Sequence, residues 1–81
     1  MPFREVDFLI GHIRVGLTWS RLASTCRDET RQERSRANAR KAYDMVLAVL
    51  KRTALAQTEE AKINASLASL RSELQELGEN L

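Results

Sequence analysis

Ile63, Leu67, Leu70, Leu74, Leu77 and Leu81 follow one another in alternating steps of four and three residues. That spacing lines one side of an α-helix with apolar groups and leaves the positions between to polar ones. The stripe predicts an amphipathic helix pressed lengthwise against other helices. Thr58 is the expected cap, with Glu59 and Glu60 in the first turn, where carboxylates complement the helix dipole. The helix is expected to run to Leu77, with Gly78 ending it in the left-handed conformation.

The same periodicity predicts two earlier helices. The first is expected from about Phe3 to Cys26, with Pro2 tolerated at its start and Glu5 and Asp7 in its opening turn. It carries two apolar lines. One reads Phe8, His12, Val15, Trp19, Leu22 and Cys26; the other reads Val6, Ile10, Ile13 and Leu17. Gly11 and Gly16 interrupt it, each at a cost of about 1 kcal/mol relative to alanine. They mark either a bend or a close approach of another backbone. The alternative is a break near Gly16, with Thr18 capping a separate helix.

Thr30 and Glu33 match a capping box, so the second helix is expected to start near Arg31 and to reach about Ala54. Its apolar face is broad, from Ala39, Ala42 and Tyr43 through Val46, Val49 and Leu50, with Met45 and Leu47 at the edges. A face that wide predicts contact with two neighbours. Short connections imply antiparallel neighbours. The expected fold is therefore all-α, with three antiparallel helices running up-down-up in a single domain over residues 1–81.

Expected core anchors are Trp19, Leu22, Tyr43, Val46, Leu50, Ile63, Leu67, Leu70 and Leu74, with Trp19 and Tyr43 as an aromatic pair locking the first two helices. Val6, Ile10, Ile13 and Leu17 then point away from that core and are left as an apolar patch, a feature that marks contact surfaces. The expectation is self-association, most simply a two-fold dimer centred on those four residues.

Composition narrows the class further. At 81 residues the chain buries only a modest core, so regular helix packing or oligomerisation has to stabilise it. Hydrophobic content of 43% is too high for a disordered chain. The charge of +2 is unevenly spread. From Ser20 to Arg52 nine basic residues face four acidic ones, and from Thr53 to Leu81 two basic residues face five acidic ones. A basic middle and an acidic tail suit pairing within the chain or head-to-tail between chains. Cys26 is alone, which excludes a disulfide within the chain and fits a reducing cytoplasm. Charged residues interrupt the N-terminal apolar run, unlike a signal peptide. The longest apolar run, Met45 to Leu50, is far short of a membrane span.

Trp19-x-x-Leu22-Ala23 followed by Ala39-x-x-x-Tyr43 resembles part of a tetratricopeptide repeat. The resemblance covers one unit, from about Leu17 to Lys51, with the third helix in the place of a capping helix. Ala23 stands where the repeat has glycine, Cys26 where it has tyrosine, and about four extra residues separate the halves. No second repeat is visible, whereas an array needs about three. The resemblance implies a protein-interaction scaffold and no catalysis.

Chemistry finds little to build on. His12 and Cys26 are fourteen residues apart on one predicted helix, about 21 Å, too far for a nucleophile–base pair within the chain. One His and one Cys cannot fill a zinc site without carboxylates, and the Glu-x-x-His element of di-iron bundles is absent. No glycine-rich phosphate loop occurs. These residues predict no enzyme, no metal and no cofactor. The rival reading is a small nucleic-acid-binding or regulatory protein using Arg27, Arg31, Arg34, Arg36, Arg40 and Lys41 as an anion site. Asp28, Glu29 and Glu33 among them, and the lack of interleaved aromatic residues, weigh against it. The leading expectation is a non-enzymatic helical interaction or assembly module, self-associating or bound to another protein, with no membrane needed to bury its helix faces.

Overall fold

The computed structural model describes residues 5–81, which form three α-helices: α1 (Glu5–Thr25), α2 (Glu29–Leu50) and α3 (Gln57–Glu76). The expected start at Pro2 and Phe3 lies outside the described residues. The fold is the all-α three-helix bundle that the apolar periodicity predicts. Gly16 lies against Ala42 and Leu70, and Ser20 against Glu73. Those pairings set α2 antiparallel to α1 and bring α3 back parallel to it, up-down-up.

α1 runs unbroken through both glycines. Thr18 is an interior residue whose hydroxyl donates to the Arg14 carbonyl at 3.0 Å. Its buried line is Val6, Leu9, Ile13, Gly16, Ser20 and Ala23. This line sits between the two lines expected from the sequence and closer to the second. Three of its six residues are small, and helix axes approach most closely where small side chains meet. Trp19 and Leu22 are too bulky for that contact and are displaced to its edge.

The core expectations divide accordingly. Tyr43, Val46, Ile63, Leu67, Leu70 and Leu74 are buried, joined by Val6, Leu9, Ile13 and Ala39. Trp19 and Leu50 are only partly buried, and Leu22 is 47% exposed. Trp19 and Tyr43 do not pair. The stacked rings are Phe8 and His12, 4.1 Å between centroids and 28° apart in plane. α1, rather than α2, is the element that packs on both neighbours, while α2 and α3 touch little.

Caps fix the ends. The cap of α2 is Asp28, not Thr30: its Oδ1 accepts from the backbone N–H groups of Thr30 at 2.9 Å and Arg31 at 3.2 Å. The Asp28 carboxylate accepts two of the first free N–H groups and takes the place of the Thr30–Glu33 box, so the helix starts two residues early. It also stops at Leu50, before the expected Ala54. α3 is entered through Ala56 with no side-chain cap, so Thr58 lies inside the helix. At its far end Gly78 adopts φ +96°, the Glu79 N–H donates to the Leu74 carbonyl and the Gly78 N–H to the Gln75 carbonyl, each at 3.0 Å. This is the Schellman arrangement. Side chains of α2 finish both neighbours: Gln32 Nε2 donates to the Ala23 carbonyl at 3.1 Å and Arg36 Nη1 to the Leu77 carbonyl at 3.2 Å.

Candidate interaction face between α1 and α2

Burial of Val6 and Ile13 removes the centre of the expected self-association surface. Both contribute to the core, and Ile10 and Leu17 are half-covered beside it, bordering the α1–α3 groove with Ile13, Lys62 and Ala65. The reason is the one that displaced Trp19. Once Gly16, Ser20 and Ala23 form the close contact, α3 falls over the Ile10–Leu17 side of α1 and leaves the opposite side less covered.

That less covered side is the line Phe8, His12, Val15, Trp19, Leu22 and Cys26, which the sequence places inside; Val15 and Leu22 are exposed, and Phe8 and Trp19 are half-buried against the edge of the core. Among the described residues the exposed large hydrophobic groups are Val15 (50%), Leu22 (47%) and Met45 (46%). Val15 and Leu22 lie on this line. The Gly16–Ala42 contact fixes the antiparallel register and brings Met45, one turn further along α2, level with His12. Trp19, Leu22 and Cys26 form one wall of an open cleft, and Arg31, Arg34 and Ser35 form the other.

The basic residues sort into two groups. Arg40 is tied down, its Nε donating to both carboxylate oxygens of Asp44 at 3.1 and 3.2 Å, with Nη1 4.0 Å from Glu79. Arg36 holds the Leu77 carbonyl. Arg21 lies 3.7 Å from Glu73, so the basic middle and acidic tail meet within the chain. Arg31, Arg34 and Lys41 are exposed, and among the described residues they make no ion pair. Their spacing of three and seven puts them, with Met45, on one stripe of α2 beside the apolar line of α1. Arg27, in the α1–α2 turn, is exposed as well. The six cations considered as an anion site do not share one face, as their spacing already implies; Arg31, Arg34 and Lys41 do.

His12 and Cys26 stay apart on the continuous α1 and its turn. Among the described residues no three His, Cys, Asp or Glu side chains come together, and no helix is long and apolar enough to cross a membrane. The periodicity places Val15 on the inward line and Met45 at the edge of the α2 face; both are exposed because α1 is rotated away from the expected packing.

The described residues form a small three-helix bundle with exposed apolar groups on its α1–α2 side. No protein-family model, curated protein or solved structure matches the chain.

Proposed function

We propose that this chain is a non-enzymatic helical interaction module whose working surface is the α1–α2 face. One observation carries the reading: among the described residues the exposed large hydrophobic groups are Val15, Leu22 and Met45, the first two on the α1 line of the half-buried Trp19 and the third, by helix register, on the stripe of α2 beside it. Contiguous exposed apolar surface on a small domain marks a contact site. The tetratricopeptide-like reading agrees with this, since a repeat hairpin buries its open face only against a neighbouring helix. The separation of His12 from Cys26 supports a binding role over catalysis. Assembly with a second copy, if it occurs, belongs on this face and not on Val6 and Ile13.

The test is site-specific photo-crosslinking in living cells that express the chain. A photoreactive residue at Leu22 is expected to capture protein, whereas one at the exposed Ala68 of α3 is not. Equal labelling at the two positions would reject the α1–α2 face as the working surface.

A further inference from the structure

We infer that the α1–α2 face receives an amphipathic helix whose apolar stripe is bordered by Asp or Glu, in preference to a second copy of this chain. This rests on the reading of that face as a contact surface and specifies what covers it.

The groove sets the shape. The apolar line of α1 from Phe8 to Cys26 spans about 27 Å by helix rise, the length of an 18-residue helix, and the open cleft against α2 occupies its Trp19–Cys26 end. Its floor between α1 and α2 includes Trp19 and Leu22, a cleft suited to a rod with large side chains at helical spacing. The charge sets the chemistry. Arg31 and Arg34 line the cleft on the α2 side and Lys41 continues their stripe along α2; among the described residues no carboxylate pairs with them. The neighbouring acids are turned elsewhere. Asp28 caps α2, Glu29 and Glu33 line a different hollow with Arg36 and Leu77, and Asp44 is held by Arg40. An entering helix with acidic borders meets three unpaired cations; one with basic borders is repelled.

The same sorting disfavours a face-to-face dimer. If the whole face lies on its counterpart, α1 on α1 and α2 on α2, the two α2 stripes of Arg31, Arg34 and Lys41 meet with like charge. If α1 lies on the other copy's α2, apolar side chains cover cations. Neither arrangement satisfies both stripes. A strand of nucleic acid is less suited to this face, because Trp19 is the one aromatic ring lining the cleft and Phe8 and His12 are stacked on each other, whereas successive bases need several open rings.

The experiment is selection from a displayed library of 18-residue helical peptides. A leucine stripe is fixed, and the positions beside it are randomised among Glu, Gln and Lys. Against the full chain, Glu is expected to be enriched about tenfold over Lys at those positions. The double variant Arg31→Glu, Arg34→Glu is expected to reverse the preference, and circular dichroism checks that it folds. Binders with no charge preference would overturn the acidic partner while leaving the contact face standing. No binders whose capture is lost in Leu22→Glu would overturn both. Sedimentation equilibrium at micromolar concentration supplies the other arm: a dimer of the chain alone that Leu22→Glu dissociates would make the second copy the occupant and overturn the proposal. Stronger retention on phosphatidylserine vesicles than on any selected peptide would overturn it in favour of a membrane surface.

Discussion

A Cβ placed on Gly16 would sit 2.7 Å from Leu70 Cδ2 and 3.2 Å from Ala42 Cβ. Gly16 is thus the point where all three helices converge, and its missing side chain is what lets them. Gly11, five residues away on the same helix, has nothing within 4 Å of the corresponding position. The two glycines interrupt one pattern for different reasons.

Opposite signs are therefore expected on replacing them. Gly11→Ala should stabilise the fold by up to about 1 kcal/mol, the helix propensity difference alone. At Gly16 that gain is outweighed by overpacking of about 1–3 kcal/mol against the fully buried Leu70, so Gly16→Ala should destabilise. Urea unfolding followed by circular dichroism measures both, and stabilisation by Gly16→Ala would refute the convergence.

Truncating α3 and α1 side chains should separate core from surface. Leu70→Ala is expected to cost about 2–5 kcal/mol, whereas Leu22→Ala stays within about 0.5 kcal/mol. Trp19→Ala should fall well below the roughly 3–5 kcal/mol of a fully buried ring. Equal losses at Leu22 and Leu70 in chemical denaturation would contradict the assignment of the less covered face.

The start of α2 offers a paired test. Removing the cap with Asp28→Ala should cost about 1 kcal/mol. Thr30→Ala, at the residue the capping-box pattern favours, should change stability by no more than a few tenths of that. The reverse ranking in thermal melts would restore Thr30 as the cap.

Gly78 should resist substitution for a conformational reason. Its φ of +96° places any L side chain in a disfavoured region, so Gly78→Ala is expected to cost about 1–2 kcal/mol. Arg36→Ala, which leaves the Leu77 carbonyl to water, should cost less, about 0.5–1.5 kcal/mol. Loss of amide protection confined to the last turn of α3 is the expected signature in hydrogen exchange.

Much of the fold could be read from the chain because apolar spacing reports helices directly. The Ile63–Leu74 stripe needed no tertiary information, and neither did the Gly78 stop. What failed was the rotation of α1. Its two apolar lines, Phe8–Leu22 and Val6–Leu17, bracket the buried one, and side-chain size favoured the line with the tryptophan. The deciding residues were Gly16, Ser20 and Ala23, whose contribution lies in their smallness and is invisible to a hydrophobicity count. That rotation turns the line expected as core into the proposed contact face, so the idea of a leftover apolar strip persists while its residues change. Helical spacing already separates Arg31, Arg34 and Lys41 from Arg36 and Arg40; what it could not show is which of the two groups is tied down by Asp44, Glu79 and the Leu77 carbonyl.

Because α2 and α3 touch little, each depends on α1 for its place. The α1–α2 turn spans only residues 26–28, so that hairpin closes at small entropic expense and keeps its pairing while α3 swings off. Partial opening of the molecule should therefore follow one route, with the amides of α3 exchanging as a cooperative block ahead of the hairpin. In this architecture the third helix acts as a detachable brace and the first as the spine.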